Sequence, residues 1–536
     1  MMRYSMRCKT PGGQDGRGRW APWRMLAIAM GLCLSVTLWL VPQPSAIART
    51  LSARATDIQP YLDRVDDQIT EFTLDNGIRF IVMERHQAPV VSFMIHFNVG
   101  AAEEEDGKTG AAHYLEHLAF KGTSLVGTSD YEAERPLLDQ LDELFDQILA
   151  ARAAGDIDEE TRLQAEFDAV QEEAATYVNQ NEFGRIVEEA GGVGLNATTS
   201  ADATRYFYSL PANKLELWMS LESERFLDPV FREFYEEKDV ILEERRMRTD
   251  NSPVGKMIEA FLETSFPDYI YGRPVIGYED DLRNMTRDDI YDFYTTHYTP
   301  RRMTVTLVGD VDPREVRQLA RIYFSRYPDR PNAPDVVAEL TPQTEPRDVT
   351  LYLNSEPWYL EGYHRPDLNH PDHAVYTVIN GILTYGRTSR LYKSLVQDGR
   401  IALDMGAADG FPGDRFPNLV LFYGLTAPGH TVDEIKTAMN QEFDRLRTEP
   451  VTADELDRVK TQSLASLVRS LSSNQGMASL LASYQAKTGS WRNLFSELDA
   501  INQVTAEDVM RVSQAMFRPD NVTTGRILPL AEQEET

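Results

Sequence analysis

Cysteine is almost absent: the 536-residue chain has two, Cys8 and Cys33, and both lie in its first 48 residues. Beyond that segment there is no thiol, which excludes disulfides, cysteine nucleophiles and Cys-ligated zinc. Any metal there must be held by histidine and carboxylate. Positive charge is scarce too, with 54 Lys and Arg against 84 Asp and Glu and a formal net charge of -30. Phosphate binding needs clustered cations, so this balance argues against nucleic acid or an anionic membrane as the main partner.

Long apolar runs are missing with one exception, "MLAIAMGLCLSVTLWLV" at 25–41. Arg3, Arg7, Lys9, Arg17, Arg19 and Arg24 precede it, and "PQPSAIA" follows it. Basic region, apolar core and small residues at Ala46 and Ala48 are the parts of a secretory signal, so residues 1–48 predict export to a periplasmic or extracellular site, with cleavage after Ala48. The alternative is an uncleaved N-terminal anchor, which would then be the chain's membrane contact. The remaining composition, 42% hydrophobic and 26% charged, is that of a globular protein. The chain is too long for one compact core and long enough for two domains of more than about 200 residues each.

"EFTLDNGIRFIVMERHQAPVVSFMIHFNVG" carries Val, Ile and Phe runs broken at Asp75-Asn76-Gly77, which predicts a hairpin and a long strand. A short helix ending near Gly122 follows. Residues 131–178 place Leu, Ile, Phe and Val at helical spacing among acids, predicting an inserted acidic helical hairpin that turns at Ala154-Gly155-Asp156 and keeps its charge on a solvated face. "GLNATTSADATRYFYSLP" returns to strand chemistry, and "KLELWMSLESERFLDP" and "REFYEEKDVILEERRMR" are again helical.

Residues 327–347 hold five prolines without sustained periodicity, as a linker would. The segments on either side end alike. "MTRDDIYDFYTTHYTPRRMT" from Met285 and "VTAEDVMRVSQAMFRPDNVT" from Val504 align without a gap, each with a Thr-x-x-Asp helix start and a proline at one offset, Pro300 and Pro519. Two related α+β domains are expected, at 60–326 and 348–530.

The chemistry concentrates in "AAHYLEHLAFKGT". His113 and His117 lie one helical turn apart and share a face, with Glu116 beside them. Two imidazoles and a third ligand can hold zinc with a position left open for water, and Glu116 is placed to take that water's proton. The third ligand is sought in "EEKDVILEER", where Glu237 and Glu244 stand seven apart, with Val240 and Leu242 as nearby apolar contacts. Glu236 and Glu243 offer rival registers. His370 and His373 straddle Pro371 without a matching acid, which suits a loop or helix start.

"HYLEHLAFKGT" resembles the H-x-x-E-H zinc motif of the insulinase and pitrilysin family of metallopeptidases. The hairpin and strand from Leu74, "LNATTSADATRYFYSLP", "EKDVILEERR" and "ILTYGRTSRLYKSL" extend the likeness from about residue 65 to 525. The resemblance implies an α/β sandwich of two domains, each a mostly antiparallel sheet covered by helices, the second inactive. It implies one Zn2+ per chain held by His113, His117 and Glu244, Glu116 as base on zinc-bound water, and Glu237 as the carboxylate that orients a histidine. Asn196, Ala197 and Thr198 match the family's edge strand, which binds an extended peptide as an added strand.

The hairpin lengthens the spacing between His117 and Glu244 beyond the family's usual one, a tolerable insertion at a surface. A second departure is chemical. Family members carry an Arg and, seven residues later, a Tyr that assist substrate binding and oxyanion stabilisation, and Val396 and Leu403 stand at those positions in "LVQDGRIALD", with Arg400 out of register. In some bacterial relatives the zinc motif and that pair lie on separate subunits. The resemblance therefore implies an exported zinc endopeptidase acting on peptides, paired with a homologous subunit that supplies Arg and Tyr. The alternative is a structural or assembly subunit that has kept the fold without catalysis.

Overall fold

The computed structural model describes residues 65–530; the segment read as a signal or anchor lies outside the described residues. Among the described residues no helix is long and apolar enough to cross a membrane.

The first half runs β1 Ile69–Thr73, β2 Arg79–Glu84, β3 Val90–Phe97, α1 Ala111–Leu118, α2 Tyr131–Ala154, α3 Ile157–Ala175, α4 Glu182–Glu189, β4 Val193–Thr199, β5 Thr204–Pro211, α5 Leu215–Leu227, α6 Phe234–Arg245, α7 Pro253–Ser265, α8 Glu279–Asn284, α9 Arg287–His297, β6 Met303–Gly309 and α10 Pro313–Tyr323. The second runs β7 Arg347–Leu353, β8 Trp358–Arg365, α11 His373–Thr384, β9 Ala402–Phe411, β10 Asn418–Thr426, α12 Val432–Thr448, α13 Ala453–Ser472, α14 Asn474–Thr488, α15 Asn493–Gln503, α16 Ala506–Met516 and β11 Val522–Pro529.

The strand orders are β1-β2-β6-β3-β5-β4 and β7-β11-β8-β10-β9. Apart from β1 the two sheets share one connectivity. Each pairs its opening and closing strands in parallel, β2 with β6 and β7 with β11, and every other pair is antiparallel. The ends are built alike as well. Thr286 and Asp289 form a reciprocal capping box on α9, and Thr505 and Asp508 form another on α16. Pro300 and Pro519 each open a short 3-10 turn that feeds the closing strand.

Successive residues of a strand face opposite sides of its sheet. Phe80, Val82, Phe93, Ile95, Val305 and Leu307 face the first half's own helices. Ile81, Met83, Met94 and Val308 face the other way and are covered by Met477, Leu481 and Trp491 of the second half. The exchange is mutual, because Met257, Phe261 and Leu262 of α7 cover Leu360, Leu419, Leu421 and Ile527 of the second sheet. Close approach demands glycine there: a Cβ at Gly525 would lie 2.9 Å from the Phe261 ring, and so would one at Gly362.

The hairpin insertion turns at Gly155, as expected, in the left-handed region with φ 70°. Its inner face packs behind α6, with Phe145 and Phe167 each 4.9 Å from the ring of Tyr235. A buried Arg232–Glu134 pair at 2.9 Å fixes its base. Between 327 and 347 the chain crosses to the second half without helix or strand until β7 begins at Arg347.

Replacing Phe261 by Ala empties the contact under the second sheet and is expected to cost about 3–5 kcal/mol. The shift of the denaturant midpoint measures it.

Candidate metal centre

Helix α1 begins at Gly110, whose φ of 89° lies in the left-handed region. A Cβ there would stand 2.7 Å from the carbonyl oxygen of Ile276, so the turn can approach this closely only with glycine. The buried Glu104 carboxylate accepts the N–H groups of Gly110 and Ala112, both at 2.9 Å, and so caps the helix start. Leu115 and Leu118 anchor the helix in the core. Tyr114 donates its hydroxyl to the carbonyl of Phe234 and stacks on that ring at 4.6 Å, which ties the first turn of α6 to α1.

That contact lays the acidic face of α6 across the two histidines. Glu244 Oε2 lies 3.7 Å from His113 Nε2 and 3.4 Å from His117 Nε2. Ligand atoms of all three residues fall within 4.8 Å of one another, the one such grouping of three or more His, Cys, Asp or Glu among the described residues. Glu237 sits one step back, its Oε2 accepting from His117 Nδ1 at 3.0 Å and its Oε1 2.5 Å from Lys121 Nζ. With Nδ1 engaged by Glu237, Nε2 is the His117 nitrogen turned to Glu244 and the one that could serve a metal there. The rival register points elsewhere, since Glu236 is hydrogen-bonded by Gln171 of the hairpin and Glu243 pairs with Arg246. One expectation is corrected: Val240 is exposed, and the apolar contact of this helix comes from the fully buried Ile241, with Leu242 half-buried beside the core.

Electrostatics suit a cation. Burial, reinforced by His117 and Arg248, lowers the His113 pKa to about 4 and keeps it neutral. Burial opposes protonation of His117 as well, but hydrogen bonds to Glu237 and Glu244 outweigh it and raise that pKa to about 9. The hydrogen bond from His117 is the main cause holding Glu244 below the usual carboxylate range. Glu237 and Glu244 thus concentrate negative charge around His117, and a divalent cation bound there would take over the place of the proton it shares with Glu244. Burial raises the Glu116 carboxyl, against a hydrogen bond from Thr199.

One cleft of about 830 Å³ brings Glu116 and the edge strand beside His113, His117 and Glu244. Strand β4 pairs only with β5 and leaves its other edge free. Asn196 and Thr198 are exposed on it and Ala197 is buried. Asn196 Oδ1 accepts the Ala197 N–H at 2.8 Å. Val396 and Leu403 lie apart from the cleft lining, the first half-buried against the second core and the second exposed on β9. His373 opens α11, and neither it nor His370 joins a ligand grouping.

Three contributors are absent from the sequence reading. Thr199 donates to Glu116 Oε2 at 2.5 Å, Lys121 holds Glu237, and Arg248 Nη1 holds Glu244 Oε1 at 2.7 Å. Arg248 follows Glu244 by four, a helical spacing that carried the signal, whereas Lys121 lies beyond the end of α1 and meets Glu237 of a distant helix. Thr199 had no such signal, because its partner is 83 residues away.

Comparison with known proteins bears on this geometry. Residues 79–135 match the family described as Insulinase (Peptidase family M16), and 284–463 match the Peptidase M16 inactive domain. The chain is similar to the zinc protease PqqE of Helicobacter pylori, 29% identical over 337 residues, 62% of this chain and 64% of that protein. The match thus spans less than two thirds of that relative's length. A protein of Mycobacterium leprae named as an uncharacterized zinc protease is 26% identical over 463 residues, 83% of this chain and 88% of its own. Among solved structures, a protease from Helicobacter pylori superposes with a TM-score of 0.73 at 25% identity, covering 86% of this chain and 99% of that one.

Glu237→Gln is expected to weaken zinc binding about 10–100-fold by releasing the His117 ring. Glu236→Gln, on the hairpin side, should leave affinity unchanged; competition with a chelator reads both.

Proposed function

From the chain's membership of the M16 (insulinase) family of peptidases, we propose that it is an exported zinc-dependent endopeptidase that hydrolyses peptides or unfolded polypeptides. The observation that carries this reading is the convergence of His113, His117, Glu244 and Glu116 in one cleft beneath the free edge of β4.

The donor set fits zinc: two imidazole nitrogens and one carboxylate oxygen, close together and largely withdrawn from water. Zinc, when bound, supplies a Lewis acid that polarises a carbonyl and makes water a better nucleophile at neutral pH. The chain's own residues do the rest. The free edge of β4 receives an extended substrate by backbone pairing, which orients the scissile bond without demanding a particular sequence. Glu116 accepts the proton of the attacking water and returns it to the leaving amine. Thr199 holds one oxygen of Glu116, and the other remains for the proton. Burial raises the basicity of this carboxylate, which suits a group that must take a proton and give it back.

Val396 and Leu403 offer neither cation nor phenol, so the oxyanion-stabilising Arg and Tyr are assigned to a homologous partner subunit in a heterodimer. A second reading, a non-catalytic assembly subunit, draws on the same missing pair. The retained base favours catalysis, because a scaffold has no use for Glu116 beside an intact ligand set.

Glu116→Gln is expected to lower peptide hydrolysis by about 10²–10⁴-fold while zinc content, measured by elemental analysis, stays at one per chain. Unchanged turnover would refute the base; full-rate cleavage by the chain alone, with no partner co-purifying, would refute the heterodimer.

A further inference from the structure

We infer that the turn Phe411 to Pro417 of the second half is a specificity-determining wall of the substrate cleft, and that Asp202 is the positioning residue that holds it there. The inference rests on the peptidase reading above. Phe411 and Pro412 line the same cleft as His113, Glu116 and His117, although they come from the half without metal ligands. Ile258, Leu262, Val275 and Ile276 line it with them, so one side of the cleft is apolar.

The turn is laced to the first half. Asp202 lies in the loop between β4 and β5, three residues beyond Thr199, and is only 2% exposed. Its Oδ1 accepts the Tyr271 hydroxyl at 2.5 Å, and its Oδ2 accepts the N–H groups of Asp414 and Arg415 at 2.8 and 3.2 Å. Gly413 makes this approach feasible, since a Cβ there would stand 2.6 Å from an Asp202 oxygen. Tyr271 also accepts the Phe416 N–H at 3.2 Å, and Tyr269 donates to the carbonyl of Pro417 at 3.0 Å. Arg415 reaches the buried Glu103 at 2.6 Å, and Lys487 pairs with Asp414.

Two apolar clusters already join the halves, so this polar lace is not needed to keep them together. Its distinct effect is to fix one turn against the strand that receives substrate. A buried carboxylate accepting three hydrogen bonds is strongly directional, because each donor it releases would be left unpaired. A peptide paired with β4 presents alternate side chains to the two sides of the strand. Those meeting the Phe411 side enter an apolar surface, so the wall selects peptides with a bulky apolar residue near the cleaved bond.

The test uses the zinc-loaded chain, with its partner subunit where one co-purifies, and two fluorogenic peptides identical except for Phe or Ser beside the cleaved bond. The intact protein is expected to prefer the Phe peptide by about 30-fold in kcat/KM, within the range set by apolar pocket contacts. Phe411→Ala should reduce that preference below about fivefold. Asp202→Asn should do the same, with the loss appearing in KM rather than kcat, and should speed hydrogen exchange at 413–416 by about tenfold as the local hydrogen bonds open. Phe411, half-buried at the cleft, keeps the test open if Asp202→Asn fails to fold. An unchanged preference in Phe411→Ala, or freed amides without altered preference in Asp202→Asn, overturns the inference and leaves the peptidase reading standing. A zinc-loaded protein that cleaves neither peptide overturns both.

Discussion

Each of the two sheets has two apolar faces, and each half has helices enough to cover one of them. The other face is covered by a helix borrowed from the partner half: α7 on the second sheet, α14 and its neighbours on the first. Burying apolar surface is the main force in folding, so neither half can satisfy its sheet alone. The exchange has the reciprocity of a two-fold interface within a single chain. It also bears on the candidate metal centre, because α7 follows, after one short turn at Arg246–Asp250, on α6, the helix that carries Glu237 and Glu244. Docking Phe261 between Gly362 and Gly525 fixes where α6 ends, and the stacking of Tyr114 on Phe234 fixes where it begins.

With both ends of α6 held, the charge balance of the cleft follows. Two carboxylates brought against two imidazoles would be costly to bury unpaired. The structure offsets that cost with Lys121 behind Glu237 and Arg248 beside Glu244. The acidic hairpin braces the same helix from its outer side through Tyr235 and Lys238, the Lys238 ammonium lying 3.8 Å from the Phe145 ring centre. An insertion that lengthens the sequence between His117 and Glu244 therefore packs against the helix that carries Glu244.

Much of this was legible in the chain. The i,i+4 spacing of His113 and His117 put both rings on one face, since helix periodicity is a local property. The seven-residue spacing of Glu237 and Glu244 did the same, although choosing between that pair and Glu236 with Glu243 took the packing of α6. The hairpin turn at Gly155 and the matched capping boxes at Thr286 and Thr505 were readable because capping and turn formation are decided within a few residues. Val240 was misread because a helix face cannot be assigned to core or solvent before its neighbours are known.

The sequence by itself determined the chemistry available: no thiol beyond residue 33, an excess of acid, and a histidine pair with a glutamate on one helical turn. Tertiary structure alone decided which carboxylate meets those histidines, that Thr199 holds Glu116, and that Asp202 draws a turn of the second half to the cleft. The physical reason is distance along the chain. Local periodicity fixes contacts one or two turns apart, whereas Thr199 and Glu116 are 83 residues apart and Asp202 and Asp414 are 212 apart. The packing of α1 on β4 within the first half brings Thr199 to Glu116, and the packing of the two halves against each other brings Asp202 to Asp414.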